Sequence, residues 1–402
     1  MSPPADSFPY ERANRSVLAS LVIIGMGFTV LFPILAPVGR EIGLSELQIM
    51  VIIGASSLTV FLASPRWGRL SDRIGRKRTM LIGLFGFSAG TVLFNLTLTA
   101  GLNGWLLGLP LFAALVAARV THAGVMSATM PSVNAYIADI TLPAERTRRM
   151  GAAGAANNLG SILGPAMAAL AAITLLTPLW AMAVLAFLNG LFLWRYLPES
   201  PQQAQRTPTK MAYTDPRILP FVVVGVSMFT GIALVQQTMG FRFQDALDLD
   251  AATTAQQVAL AMSLSAVASL AAQLLIVQRT NLRPFSLLTL AVPLLIVAFT
   301  MMALGSSQLI LTLAMMIQGF GMGLAGPGFT AGASLAVAPE EQGAVAGVAA
   351  SCGPLGFCLG PVIGGVLYQW DATLPYATVA AGYVILFFQM RRLKHRVREH
   401  EG

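Results

Sequence analysis

The amino-acid sequence predicts an all-α membrane protein with twelve transmembrane helices in two pseudo-symmetric six-helix bundles. Three observations support this fold class. The chain is 55% hydrophobic and 10% charged, with a mean hydropathy of +0.71, whereas soluble domains carry about 25% charged residues. Its apolar residues fall into segments close to the roughly 20 residues that cross a bilayer. A pattern of glycine and proline also recurs in the two halves of the chain.

The apolar segments form two sets of six. The first fifteen residues are polar and lead into an apolar segment without a cleavage pattern, so we expect the first span to be retained. A stretch rich in Pro, Gln and Thr separates the two sets and predicts a linker. The predicted spans are residues 16–38, 48–66, 79–98, 106–138, 146–174, 178–197, 217–241, 253–278, 284–304, 307–336, 341–370 and 373–391.

These spans predict the domain organisation of the chain. It comprises a cytoplasmic N-terminal segment (1–15), an N-terminal bundle (16–197), a cytoplasmic linker (198–216), a C-terminal bundle (217–391) and a basic cytoplasmic tail (392–402).

Basic residues determine the predicted orientation. The Lys and Arg side chains between the spans fall almost entirely on one side, and Arg40 and Arg242 fall on the other. The positive-inside rule places the basic side, with both termini, in the cytoplasm of a bacterial-type inner (plasma) membrane. The formal charge of +8 therefore indicates contact with a lipid bilayer. Nucleic acid is not an expected partner, because the basic residues lie on separate loops.

The glycine and proline pattern predicts related helices in the two halves. Gly160, Gly164 and Pro165 recur 196 residues later as Gly356, Gly360 and Pro361. Small residues allow two helices to approach closely in lipid, and proline is tolerated there. The pattern fits a static packing seam or a moving interface, and its presence in both halves favours the interface. The predicted hinge residues are Gly151, Gly160, Gly164, Pro165, Gly347, Gly356, Gly360, Pro361 and Gly364.

Several motifs resemble those of a known family. GRLSDRIGRKRTM, from Gly68, resembles the signature loop of the major facilitator superfamily, and the repeated glycine–proline helix is similar to the helix-five motif of its antiporter branch. ARVTHAG, around Arg119, resembles the superfamily's buried-arginine motif. NAYIADITLPAER, from Asn134, and GFRFQDALDLDAATTA, from Gly240, resemble segments of tetracycline and multidrug exporters.

The resemblance implies two bundles that rock about a central site, with the loop at Asp72 as a cytoplasmic latch. Asp72 would face a helix N-terminus, where an anion is favoured. Gly75 would allow a tight turn. Arg73 and Arg76 would pair with acids drawn from Asp139, Glu145, Glu340 and Glu341. The predicted gating residues are Gly68, Asp72, Arg73, Gly75, Arg76 and Glu145.

Arg119 and His122 are the strongest candidates for a site within the membrane. Arg119 lies about thirteen residues into its span, and a charge there costs at least roughly 2.5–3.5 kcal/mol, which favours a functional role. His122 follows one turn later and could exchange protons near neutral pH. A hydrogen-bonded packing role remains the alternative for His122.

Residues at mid-depth of the spans predict a central solute site. Arg119 would favour a solute with an anionic group. No carboxylate lies clearly within a predicted span, so the proton carrier is either His122 or an edge acid (Asp72, Asp139 or Asp245), or else the solute moves without protons. The predicted substrate-binding residues are Met26, Phe32, Arg119, His122, Asn157, Gln236, Gln237 and Gln318.

The sequence therefore predicts a monomeric secondary transporter that exports a drug-like compound or metabolite by alternating access, with proton antiport expected. Two alternatives stay open. The solute could be an anionic metabolite or carboxylate siderophore, or the chain could be an uptake porter or uniporter, because fold does not fix direction. An enzyme is not expected, since the spans carry neither a nucleophile motif nor metal-ligand spacing. No catalytic residue, metal or cofactor is predicted.

Overall fold

A computed structural model describes residues 10–141, 146–200, 211–280, 282–337 and 341–401. Within these ranges the chain forms α-helices and short helical turns, with no strand. The helices are α1 (Tyr10–Thr29), α2 (Phe32–Glu41), α3 (Glu46–Ile74), α4 (Arg76–Leu102), α5 (Gly108–Met126), α6 (Thr129–Asp139), α7 (Arg146–Ala166), α8 (Thr177–Tyr196), α9 (Leu219–Leu247), α10 (Ala251–Ala272), α11 (Pro284–Leu304), α12 (Gln308–Leu335), α13 (Gln342–Trp370) and α14 (Leu374–Glu401).

Every predicted span falls on one of these helices, on a consecutive pair, or on a helix and the short helical turn that follows it. Within the described ranges, ten helical segments are long and apolar enough to cross a membrane, and the pairs α1–α2 and α5–α6 each count as one. The predicted span 146–174 corresponds to α7 and the 3-10 helix Met167–Ala172. This segment is less hydrophobic than the ten, because α7 begins with arginines and carries Asn157 and Asn158. The predicted span 373–391 corresponds to the shorter apolar stretch Leu374–Met390 of α14.

The helices group into two compact units. The first unit comprises residues 1–31 and 55–205, and the second comprises residues 32–54 and 206–402. The predicted bundles divide the chain at the linker alone, whereas in the structure α2 and the start of α3 pack with the second unit. One boundary between the units falls where α1 ends at Thr29 and α2 begins at Phe32, and another falls inside α3, after Gly54.

The first unit is built around the pairing of α1 with α7 and of α4 with α5 and α8. Its buried side chains include Met80, Val133 and Tyr136, which form one apolar cluster. Two buried hydroxyl groups donate across helices. Ser20 donates to Asn189 Oδ1 at 2.7 Å, and Ser88 donates to the carbonyl of Ala183 at 2.8 Å. These bonds fix the rotation of α1 and α4 against α8.

The second unit repeats this plan with α9 along α13 and α11 along α12. The Tyr383 hydroxyl on α14 donates to the Met228 carbonyl on α9 at 2.8 Å. The segment 32–54 packs onto this unit through closely approaching small residues. A Cβ on Gly240 would lie 2.6 Å from Ala36 Cβ, and one on Gly365 would lie 2.8 Å from Met50 Cβ.

Candidate functional site

Arg119 and His122 lie together on α5 in the interior of the first unit. They are three positions apart in the chain, so both side chains project from neighbouring positions on one helix face. His122 is 3% exposed and packs against α4 at Gly90. A Cβ on Gly90 would lie 2.7 Å from the His122 side chain, so a larger residue at position 90 would push the imidazole away.

The contact between the two side chains defines the state of the imidazole. Arg119 Nη1 lies 2.7 Å from His122 Nδ1. A guanidinium has donors and no acceptor, so Nδ1 must accept and the ring is a neutral tautomer with its hydrogen on Nε2. The Arg119 guanidinium also lies 5.4 Å from the Phe94 ring centroid, and the His122 ring lies edge-on to Phe87 at 4.9 Å. The pair is thus enclosed by aromatic groups of α4.

Two donors of this pair remain without a partner. Arg119 Nε and His122 Nε2 are buried, and neither forms a hydrogen bond within the described part of the chain. Both side chains line a small cavity of about 20 Å³. That volume accommodates one water-sized particle, so this cavity is too small for an organic solute. Its lining residues are Gly27, Val30, Leu31, Phe87, Thr91, Phe94, Arg119, His122, Leu179 and Met182.

The other predicted substrate-binding residues are divided between the two units. Met26 and Asn157 belong to the first unit, where α1 crosses α7, and the Oδ1 atom of Asn157 is buried without a partner. Phe32 belongs to the second unit and stacks on Phe357 with ring centroids 6.4 Å apart. Gln236, Gln237 and Gln318 also belong to the second unit. The last two are buried, and each has one side-chain atom without a partner. Their role in binding stays a prediction.

The predicted latch motif forms a helix end and a single-residue turn. We expected a loop, but α3 continues to Ile74 and α4 begins at Arg76. Gly75 makes the turn with φ +101°, a backbone region that disfavours any residue with a Cβ. The Glu199 carboxylate closes over this turn and accepts a hydrogen bond from the Lys77 backbone N–H at 2.9 Å. The prediction of a tight turn at Gly75 is therefore confirmed.

Arg76 is the centre of the ionic contacts in this region. Its Nε atom donates to Asp139 Oδ2 at 3.0 Å, and its Nη1 atom contacts Asp72 and the Ser71 hydroxyl. The predicted pairing of Arg76 with Asp139 is thus present, within the first unit. Gly68 lies on α3 with Pro131 beside it, and Arg73 is exposed. Glu145, the remaining predicted gating residue, and Glu340 lie outside the described residues.

Glu341 forms its ion pair within the second unit. Arg217 Nη1 donates to Glu341 Oε2 at 2.7 Å, and Arg217 also binds Asp215. Hydrogen bonds from the Arg217 side chain and backbone hold the pKa of Asp215 below its ordinary value. The pairing of Glu341 with Arg73 or Arg76 stays a prediction.

The repeated glycines pack against a neighbouring helix of their own unit. A Cβ on Gly160 would overlap the Val22 carbonyl of α1, and one on Gly164 would lie 2.6 Å from the Met26 carbonyl. In the second unit, a Cβ on Gly356 would lie 2.5 Å from the Phe229 carbonyl carbon of α9, and one on Gly360 would lie 2.6 Å from the Thr230 carbonyl oxygen.

The remaining hinge positions differ from these four. Gly364 lies beside Thr238 of α9, whereas a Cβ on Gly347 would meet no atom within 4 Å. Pro165 and Pro361 lie inside α7 and α13. Gly151 lies in α7, and its surroundings are outside the described part of the structure. The glycines that do make close contacts therefore serve packing inside each unit, and their role as hinges stays a prediction.

A second polar cluster, centred on Arg40, was not predicted from the sequence. Arg40 binds Glu46 through Nε at 3.1 Å and Asp245 through Nη2 at 3.0 Å, and the Tyr368 hydroxyl donates to Asp245 at 2.7 Å. The Arg40 guanidinium also lies 4.8 Å from the Phe241 ring centroid. The cluster joins the segment 32–54 to α9 and α13 within the second unit. The sequence does contain one indication of this cluster, because Arg40 is one of the two arginines predicted on the outer side of the membrane.

Comparison with known proteins agrees with this architecture. A family model of the Major Facilitator Superfamily matches residues 17–361. Multidrug resistance protein 1 of Bacillus subtilis is 26% identical over 393 residues, covering 93% of this chain and 96% of that protein. The class C tetracycline resistance protein of Escherichia coli is 31% identical over 204 residues, covering 50% of this chain and 48% of that protein.

Solved structures show the same fold. The nucleoside transporter NupG aligns with a TM-score of 0.74 at 15% identity, covering 95% of this chain and 98% of that one. The human organic anion transporter MFSD10 aligns with a TM-score of 0.66 at 20% identity, covering 96% of this chain and 100% of that one. The family match over most of its length and the all-helical fold together identify the chain as a membrane transporter of the Major Facilitator Superfamily.

Proposed function

We propose that this chain exports a small organic solute, drug-like or metabolic, across a bacterial inner membrane by alternating access. The observation that carries the proposal is the alignment of 93% of this chain with a multidrug resistance protein. Such an alignment includes both halves of the chain, which a transporter needs to form its pathway. The chain would act as a monomer with both termini in the cytoplasm.

The charge at Arg119 supports a solute that carries an anionic group. Arg119 is charged at any physiological pH, and among the described residues no acid forms an ion pair with it. The part of its surface that remains accessible could attract a carboxylate. This observation favours acidic or zwitterionic compounds, including acidic metabolites and carboxylate siderophores, over simple cations.

The contact between Arg119 and His122 supports proton antiport. Protonation of His122 at Nδ1 would remove the acceptor that Arg119 now uses. A proton on Nδ1 and the present position of Arg119 therefore exclude each other. A pair with two such arrangements can link proton binding to a change of conformation.

The experiment is transport in inside-out and right-side-out vesicles with and without an imposed pH gradient. The panel contains a quinolone, which carries a carboxylate, together with tetracycline and a lipophilic cation. We expect concentrative uptake of the acidic compounds into inside-out vesicles when the vesicle lumen is acidic. Gradient-driven accumulation only in right-side-out vesicles would indicate an uptake porter, and equilibration without accumulation would indicate a uniporter.

Two variants test the residue assignments within the same assay. His122→Gln should abolish the effect of the pH gradient, and unchanged gradient-driven efflux would remove His122 from the mechanism. Arg119→Gln should reduce transport of the acidic compounds more than transport of the cation. Equal loss for all compounds would contradict a role for Arg119 in charge selection.

A further inference from the structure

Arg242, in the second unit, is a buried arginine whose charge is compensated by backbone groups. Arg242 on α9 is 9% exposed. Its guanidinium donates to three carbonyls at the C-terminal end of α11, those of Met302 (3.0 Å), Ala303 (2.9 Å) and Gly305 (2.8 Å). Carbonyls at a helix C-terminus lack intrahelical partners and carry partial negative charge. Arg242 therefore has the acceptors that a buried cation requires.

Arg119 lacks an equivalent environment. The hydrogen-bond partner that the structure gives its guanidinium is the neutral His122 ring, and its Nε–H is buried without an acceptor. No Asp or Glu forms an ion pair with Arg119 within the described ranges. The guanidinium cannot lose its proton, so its charge at this depth calls for a negative partner from elsewhere.

The cavity beside Arg119 has the size and the donors for such a partner. Its volume of about 20 Å³ fits a single small particle. Arg119 and His122 line it, and each has a buried N–H without an acceptor. The Thr91 hydroxyl also lines the cavity, but its hydrogen is donated to the Phe87 carbonyl at 2.8 Å. The other lining residues are apolar or glycine, so the wall carries a positive charge and no carboxylate.

We propose that this cavity binds one monatomic halide ion, chloride in the cell, as the counter-ion of Arg119. A halide accepts hydrogen bonds from several N–H groups at once, and as a single atom it is only somewhat larger than a water molecule. A water molecule also fits, but it would leave the guanidinium charge uncompensated. An organic carboxylate is too large to enter a cavity of about 20 Å³, so a solute could reach Arg119 only at the part of its side chain that remains accessible.

The test uses the purified full-length protein in detergent and does not measure transport. Apparent melting temperature is recorded in potassium chloride, potassium bromide and potassium gluconate at equal ionic strength, because gluconate is too large for the cavity. We expect both halides to raise the melting temperature saturably relative to gluconate. Arg119→Gln should abolish the difference in melting temperature between halide and gluconate. Arg242→Gln, the matched control, should retain this difference, because Arg242 binds backbone carbonyls and does not line the cavity.

A crystallographic measurement on the parent protein tests for a bound halide even if the Arg119→Gln variant fails to fold. Crystals grown in bromide should show an anomalous scattering peak in the cavity between Arg119 and His122. Ordered water there without an anomalous peak, together with equal melting temperatures in halide and gluconate, would overturn the proposal. Since transport is not measured, this outcome would leave the proposed export function untouched, and a failure to export would leave the halide site untouched.

Discussion

The packing of α13 against α9 leads to a prediction that can be worked from distances. A Cβ added at Gly360 would lie 2.6 Å from the Thr230 carbonyl oxygen and 2.7 Å from the Leu234 backbone nitrogen. Ordinary contacts begin at 3.4 Å, so Gly360→Ala requires the two helices to separate by about 0.8 Å, or the side chain to strain, and such overpacking costs about 1–3 kcal/mol. Both nearest atoms belong to the backbone of α9, which cannot rotate away as a flexible side chain would.

Gly347 provides the matched control on the same helix. A Cβ at Gly347 has no neighbour within 4 Å, while the gain in helix propensity from Gly to Ala, about 0.8–1.0 kcal/mol, applies to both positions. The difference between Gly360→Ala and Gly347→Ala therefore isolates the clash. A change of 1 kcal/mol shifts the melting temperature of a domain of 150–250 residues by about 2–4 °C, so the two purified variants should melt several degrees apart. Equal melting temperatures would refute the reasoning and show that α9 and α13 separate at no measurable cost.

Three further predictions concern polar groups. Arg76→Gln should lower the free energy of unfolding by about 2–3 kcal/mol because it removes the cation that Asp72 and Asp139 share. Arg78→Gln, at an exposed position of the same segment, should change the free energy of unfolding by less than about 0.5 kcal/mol. Equal effects of the two variants in thermal unfolding would contradict the role of Arg76. Arg40→Gln should lower the melting temperature, and Arg40→Lys should lower it less. A lysine keeps the charge but cannot bind Glu46 and Asp245 with a planar fork. A lysine variant as stable as the parent protein would show that the guanidinium geometry of Arg40 is not needed. Hydrogen bonds from the Thr253 side chain and backbone hold the pKa of Asp250 below its ordinary value of 3.8, so the stabilisation is present above that value and is lost as the pH falls through the folded-state pKa. Asp250→Ala should therefore melt below the parent protein at pH 7, with a gap that narrows below about pH 4, and a gap independent of pH would contradict the assignment.

Hydrophobicity was sufficient to predict where the helices lie. The predicted span 284–304 coincides with α11 (Pro284–Leu304), span 307–336 extends one residue beyond α12 at each end, and span 341–370 begins one residue before α13. These boundaries are marked by Pro, Ser and Asp residues that begin or end a helix in water and in lipid alike. Predictions were less accurate where a helix continues beyond the apolar stretch. The charged motif after span 48–66 was predicted as a loop, but it is helical up to Ile74 because its polar residues are compatible with a helix in water.

The sequence could not predict which residues meet across long chain separations. The contact between Arg119 and His122 was accessible because both lie on one helix face. By contrast, Arg40 and Asp245 are 205 residues apart, and their pairing depends on how α2 packs against α9. Likewise, the break between α1 and α2 falls inside a continuous apolar run, where hydropathy does not mark it, although Pro33 lies in the first turn of α2. A hydropathy pattern carries no information on such tertiary contacts.

The position of the repeated glycines changes what they imply about motion. The same two positions of the repeat contact α1 in the first unit and α9 in the second, in each case through backbone atoms. Close backbone contact gains dispersion energy only while the helices stay at one separation. The repeat is therefore better explained by a pairing that each unit preserves than by a surface that opens and closes. If transport changes the arrangement of the chain, α7 is expected to move together with α1 and α13 together with α9, and cysteine pairs that cross-link α9 to α13 should leave transport intact.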